Sequence, residues 1–355
     1  MKEFWQKILK DKFAKIALII LASLYLLIIF ADFIAPYGKY YSNRDASYAP
    51  PSTIYTIDEK GKISWPYTYN YEREYEPALM QTIFKEDRSE KYYLKFFVKG
   101  DEYKVLGLIP CKLHLFGASN EGQLYLLGTD INGRDVFSRL LFGGRISMTI
   151  GFLSLFIVFP IGLIYGGVSG YFGGVIDSIM MRFAEAIMAI PSFYLLIILA
   201  AILPSGMTSA QRFCLIIVIL ALIGWAGFAR VIRGMVLSIK NEDFVSAEKT
   251  IGASSLRIIL KHILPQTTSY VIIAITLSVP SYILAESGLS FLGLGIQQPD
   301  ASWGNMLKEA QEFTNILYRP WLLTPGFLIF IAVLSFNILG DSIRDYLDPK
   351  SKIRG

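Results

Sequence analysis

The chain is 355 residues long, 53% hydrophobic and only 18% charged, with a formal net charge of +5. Soluble domains carry about a quarter charged residues, and here the apolar excess is gathered into runs of the roughly 20 residues that a helix needs to cross a bilayer. Those runs exclude an ordinary soluble enzyme. The basic residues sit at the edges of the runs, where membrane topology places them, so the net charge calls for no nucleic-acid partner. Two cysteines in unlike contexts, Cys111 and Cys214, and two distant histidines, His114 and His262, point to neither a disulfide framework nor a metal site.

In chain order, a basic start (Lys2, Lys7, Lys10, Lys12, Lys15) leads into a first apolar span, Ile16 to Ala35. It is too long for the core of a signal peptide, and no small-x-small cleavage pattern follows, so it reads as a membrane helix. A long polar segment comes next, rich in Tyr, Pro and mixed charge. Tyr92–Val98 and Tyr103–Leu106 read as short strands. Asp58–Lys62 reads as a hairpin turn between Ile54–Ile57 and Ile63–Trp65. The segment predicts a small β-rich domain without a catalytic constellation. Five more spans follow, at about Ile146–Val168, Phe183–Leu203, Phe213–Val236, Thr267–Ala285 and Leu322–Leu339. Gly162, Gly166 and Gly170 are spaced for close helix packing. Arg182 and Glu185 are set to pair on one helix face. Glu286, at the end of the fifth span, is a functional candidate by position, with bonding to the backbone of the following loop as its structural alternative.

Six spans bring both termini to the same side, and lysine and arginine counts put that side in the cytoplasm. The loop between the fourth and fifth spans then also lies there, with Lys240, Lys249, Arg257 and Lys261. The expected layout is a cytoplasmic N-terminus with the first helix (1–36), an extracytoplasmic insert (37–126), a core with the other five helices (127–345) and a cytoplasmic tail (346–355).

Within the loop 241–266, Asp243 is a plausible N-cap for a short helix, Phe244–Ile251, which Gly252 can end in the left-handed conformation. Ser254 or Ser255 can cap a second helix, Leu256–Leu264, leading through Pro265 into the fifth span. Phe244, Ala247 and Ile251 share one face of the first helix, which suits either a partner surface or the lipid.

This loop resembles the EAA loop of ABC-importer permeases, whose pattern is Glu-Ala-Ala, three residues, Gly, and a spacer ending in Leu-Pro. Ala247, Gly252, Leu264 and Pro265 fit. Ser246 stands where Glu is usual, and Glu248 where the second Ala is usual. Ahead of the second span, Gly128-Thr129-Asp130, Gly133-Arg134-Asp135 and Ser138-Arg139 resemble the signature of the C-type permease subunit of dipeptide and oligopeptide importers. Matches continue in order through Gly170–Gly174, Ile190-Pro191-Ser192, Leu284–Gly295 with Glu286, Ser302-Trp303-Gly304 and Phe336–Asp341.

The resemblance implies an all-α polytopic membrane protein, with six transmembrane helices in the type I ABC importer permease fold and the β-rich insert after the first. It implies half of a translocation pathway in a bacterial cell membrane and no catalysis by this chain. It further implies a B-type permease partner, two ABC ATPase subunits that bind ATP and Mg, and an extracytoplasmic substrate-binding protein. Asp243, Phe244, Ala247, Glu248, Gly252, Leu264 and Pro265 would receive the ATPase stroke. Gly128, Thr129, Asp130, Gly133, Arg134, Asp135, Glu286, Trp303 and Gly304 would form outer-face motifs at an interface. No Gly-x-x-x-x-Gly-Lys-Ser/Thr run is present in the chain. Dipeptides, oligopeptides, nickel chelates, glutathione and sugars all stay open as substrates. The rival classes are an ion-driven secondary transporter, which predicts charges at mid-span, and a membrane-anchored interaction protein.

Overall fold

The computed structural model describes residues 8–59, 61–76, 81–105, 109–119, 122–204 and 206–347. Lys2, Lys7, Leu106 and the tail beyond Leu347 lie outside the described residues. The chain forms two compact units, one of Met1–Leu21, Met148–Leu289 and Phe330–Gly355, the other of Ala22–Ser147 and Ser290–Ile329.

Helices dominate because the apolar runs leave the backbone no partner but itself in lipid. They are α1 (Lys12–Ile29), α2 (Ala31–Ile34), α3 (Val136–Phe172), α4 (Gly174–Met188), α5 (Ser192–Ala201), α6 (Ser209–Ile239) and α7 (Asp243–Thr250). A continuous helical run, Ser255–Phe291, follows; its last part is α8 (Thr268–Phe291). Two short helices, α9 (Trp303–Leu307) and α10 (Phe313–Tyr318), precede α11 (Thr324–Leu347).

Among the described residues, five helices are long and apolar enough to cross a membrane, and α4 with α5 makes a sixth candidate if the pair is one span. The third span was expected as a single helix, Phe183–Leu203. Instead α4 and α5 meet at a 76° bend. Pro191 is the cause: it has no N–H to give the preceding turn, and it disfavours helical geometry in Ile190.

Helix α3 begins ten residues before the expected start at Ile146. At about 1.5 Å per residue its 37 residues extend about 55 Å, well beyond the roughly 30 Å hydrocarbon layer. Its early polar residues are paired, which is why they do not end it. Arg139 Nε lies 3.3 Å from Asp130, and Arg145 donates to Asp32 at 2.6 Å and to Ile28 O at 2.6 Å. Further along, Gly162, Gly166 and Gly170 face α6. A Cβ on Gly162 would meet the Phe228 ring, on Gly166 the Ala229 carbonyl, and on Gly170 the Arg233 carbonyl. The small residues therefore let α3 and α6 approach backbone to backbone.

The polar segment forms an antiparallel sheet in the order β1 (Tyr55–Ile57), β2 (Ile63–Glu76), β3 (Gln81–Val105), β4 (Ile109–Ala118). The hairpin turn at Asp58 is as expected: Asp58 N donates to Lys62 O at 2.8 Å and Gly61 N to Asp58 O at 2.8 Å. The two short strands expected at Tyr92–Val98 and Tyr103–Leu106 are one 25-residue strand, β3. A register shift between Lys99 and Tyr103 absorbs the Gly100-Asp101-Glu102 stretch that separates the two expected strands. Tyr37, Tyr41 and Tyr125 stack beside the sheet, with Tyr37 and Tyr41 ring centroids 4.1 Å apart.

Candidate coupling loop and outer motif

Helix α7 is built by its ends. Glu242 precedes it without a side-chain cap, so Asp243 is its first helical residue and not the expected N-cap. There its carboxylate still favours the positive end of the helix. At the other end Gly252 has φ +81°. Gly252 N donates to Lys249 O at 3.1 Å, and Ala253 N donates to Glu248 O at 3.0 Å. That pair of bonds is the Schellman stop that glycine permits. Ser254 then caps the next helix, accepting from Arg257 N at 3.4 Å. The chain widens into a π-turn over Ile258–Ile263, where Leu264 N reaches back five residues to Ile259 O. Pro265 follows within the helical run and does not interrupt it.

One face of α7 is turned inward. Val245 is fully buried, and α7 packs against the π-turn, whose Ile258, Ile259 and Ile263 are also buried. Glu248 faces the same way: its carboxylate lies 3.5 Å from His262 Nε2, close enough for an ion pair when the ring is protonated but not aligned as a hydrogen bond. Lys249 sits over the Tyr171 ring, 5.5 Å from its centroid. Lys240 donates to Gly170 O at 3.0 Å and Tyr171 O at 3.4 Å, satisfying carbonyls at the end of α3. Nearby, Arg233 Nε donates to Asp177 Oδ1 at 2.8 Å, and Ser169 Oγ to the same oxygen at 2.5 Å. The expected Arg182–Glu185 pair forms at 3.4 Å, and Arg230 reaches Glu185 at 3.2 Å.

The opposite face of α7 is open. Phe244 and Ala247 are exposed, as is Ile251 just past the helix at 77%. A helix pinned to the ends of α3 and α6, with an apolar strip facing outward, is suited to pass a push from a docked body into the bundle. Val245, Lys240 and the Asp177–Arg233 pair are parts of this fixture that sequence reasoning missed. Val245 has a signal in the helical period. The ion pair has none, since its members are 56 residues apart.

The Gly128–Arg139 motif belongs to the other unit and is turned inward. Asp130 Oδ1 accepts from Asn132 N at 2.8 Å and Arg134 N at 3.0 Å, and Oδ2 from Arg134 Nε at 2.7 Å. Gly133 has φ +67°, and a Cβ there would overlap Asn43 O. Thr129 Oγ1 accepts from Ala49 N at 2.7 Å, while its carbonyl accepts from Trp321 Nε1 at 3.0 Å beside Gly128. Asp135 caps α3, accepting from Ser138 N at 2.7 Å and Ser138 Oγ at 2.6 Å. Burial pushes its carboxyl up to about 7, despite those donors. Burial and the neighbouring Asp130 push Glu309 up in the same direction.

Trp303 is fully buried and donates through Nε1 to Leu140 O at 2.9 Å; Gly304 follows it in α9, also buried. Glu286, near the end of α8, is fully buried, with Ser287 Oγ 3.5 Å from its carboxylate. Among the described residues, no group of three or more His, Cys, Asp or Glu is placed to hold a metal.

Residues 146–353 match the family described as the binding-protein-dependent transport system inner membrane component. The chain belongs to this family. It is a helical, multi-span membrane permease subunit, and its first 51 residues match the N-terminal TM domain of oligopeptide transport permease C. Similar proteins include the dipeptide transport system permease protein DppC of Bacillus subtilis, 48% identical over 225 residues, 63% of this chain and 68% of the relative. The oligopeptide transport system permease protein OppC of Haemophilus influenzae is 42% identical over 229 residues, 64% of this chain and 71% of the relative. The glutathione transport system permease protein GsiD of an Escherichia coli strain is 39% identical over 226 residues, 63% and 72% of the two chains. Residues 52–145, which include the sheet, lie between the two family matches.

Proposed function

We propose that this permease is the C-type subunit of an ATP-driven importer of dipeptides or oligopeptides. Helix α7 and the turn after it form the seat of an ABC ATPase. The names of the relatives favour a peptide over the other substrates. The observation that carries the coupling reading is the two-sided build of α7: Phe244, Ala247 and Ile251 outward, Val245, Glu248 and Lys249 inward onto the bundle. ATP and Mg belong to the ATPases, and this chain holds the pathway. A B-type permease would form the second wall, and a substrate-binding protein would deliver cargo. The bent pair α4–α5 serves as the third of six spans, both termini lie in the cytoplasm, and the sheet lies outside. Gly128–Asp135, Glu286, Trp303 and Gly304 shape the outer face from within.

A charge on the open face tests the seat. Ala247→Arg should remove the ATPases from the affinity-purified complex while the B-type permease stays bound, because the change touches no inward contact. Retention of both ATPases with full uptake would remove α7 from the coupling role.

A further inference from the structure

Phe96 and Phe97 stand next to each other in β3, 65% and 61% exposed. Lys95 and Lys99 flank them and are exposed too, and Leu113 of β4, the partner of Lys99, is another exposed apolar side chain. In water such an edge forgoes the burial that makes phenylalanine favourable in a fold. Phe97 is strained as well. Its φ is +56°, a region that bulky residues rarely enter and that persists where the surroundings impose it.

The surroundings are the end of the first membrane helix. The Phe97 ring centroid is 6.4 Å from that of Phe33 in α2, the continuation of α1. From Ile16 to Phe33 the helix rises at most about 26 Å, so Phe33 stands near the far edge of the roughly 30 Å hydrocarbon layer. Phe97 shares that depth. The sheet cannot swing away, because two short links staple it to the residues just after α2: His114 Nδ1 lies 2.6 Å from Ala35 O, and Gly38 N donates to Asp101 Oδ2 at 2.8 Å. A third contact, His114 Nε2 3.1 Å from Asp101 O, ties the two anchoring residues to each other across β4 and β3.

We propose that the Phe96–Phe97 edge is a membrane-docking edge, seated in the headgroup region of the bilayer that α1 crosses. The partner is the lipid surface itself, reached by continuity with the span. Phenylalanine is among the side chains that surface-lying elements bury at the boundary between headgroups and acyl chains. Lys95 and Lys99 can lay their apolar stems along the lipid and lift their ammonium groups to the phosphates. The acids nearby are engaged elsewhere: Glu102 pairs with Lys112 at 3.3 Å, Asp32 with Arg145, and Asp101 with Gly38 N. The insert therefore lies along the membrane at this edge while its β1–β2 hairpin stays in water. The inference rests on α1 being a membrane span, and holds whichever side the sheet faces and whatever the cargo.

Nitroxide depth measurement on the complex in lipid nanodiscs tests it. With Cys111 and Cys214 replaced by serine, single labels are placed by Phe96→Cys, Phe97→Cys and, as a water reference, Ile63→Cys, whose native side chain is 93% exposed at the hairpin. The ratio of oxygen to nickel-chelate collision rates should be several-fold higher at 96 and 97 than at 63. The label at 96 keeps the test valid if substitution at the strained position 97 disturbs folding. A ratio at 96 equal to that at 63 would put the edge in water and overturn the proposal. Protection from both reagents would mean that a protein partner covers it, and would overturn it equally.

Discussion

The α7 loop and the Asp130 turn are both short, glycine-punctuated segments, yet they are built in opposite senses. In the loop, backbone bonds do most of the holding, through a Schellman stop at Gly252 and a π-turn, with the Lys240 ammonium adding a side-chain tie to the end of α3. That leaves Phe244, Ala247 and Ile251 free to face outward. In the turn, side chains hold the shape. One carboxylate, Asp130, organises two backbone N–H groups and two guanidiniums, and nothing of it is left over for a partner. A motif of charged residues can therefore be architecture, and a motif of small and apolar ones can be the working surface. The difference decides what a substitution should damage: assembly at the turn, coupling at the loop.

The largest effect is expected from Asp130→Asn. It removes the charge facing Arg134 and Arg139, both almost fully buried, and stranding a buried charge costs about 3–5 kcal/mol. The permease should be lost from the membrane, measured as full-length protein after a chase. Wild-type abundance with normal thermal stability would show that the turn is not the support described here.

Next comes Gly252→Asp, which should abolish substrate-stimulated ATP hydrolysis in the reconstituted complex while leaving membrane abundance near wild type. The left-handed backbone at Gly252 disfavours any side chain by about 1 kcal/mol or more, enough to displace the end of α7 but not to unfold a bundle. If abundance fell as far as with Asp130→Asn, the contrast between loop and turn would collapse.

The smallest effect concerns pH. Asp135 titrates near 7 when folded against an ordinary 3.8, so between these values the folded state holds more protons than the unfolded one. Stability should therefore fall as pH rises from about 4 to 7, and Glu309 adds to the same slope. Asp135→Asn keeps an N-cap and removes its share. Its melting temperature should vary less with pH across that window than that of the wild type. An unchanged slope would mean that Asp135 stays ionised in the folded protein.

Apolar run length and local spacing made much of this legible in advance. The membrane spans, the hairpin at Asp58, the stop at Gly252 and the inward-pointing glycines of α3 all rest on interactions within a few residues or on the size of a side chain. What escaped depends on distant partners. The early start of α3 needs Asp130 and Asp32 to neutralise its arginines. The single strand β3 needs β4 to carry it across Gly100. Pro191 was visible, but the size of the bend it makes was not. Asp243 was misplaced by one residue because an acid suits the first turn of a helix almost as well as the cap before it.

The fit of α3 on α6 also bears on how the protein is made. Gly162, Gly166 and Gly170 are complete only against Phe228, Ala229 and Arg233, which the ribosome delivers some 60 residues later. Until then a newly inserted α3 displays a bare glycine groove, while α4 and α5 are synthesised in between. Any chaperone or membrane protease that surveys this protein during synthesis has that interval in which to act, and it closes when α6 arrives.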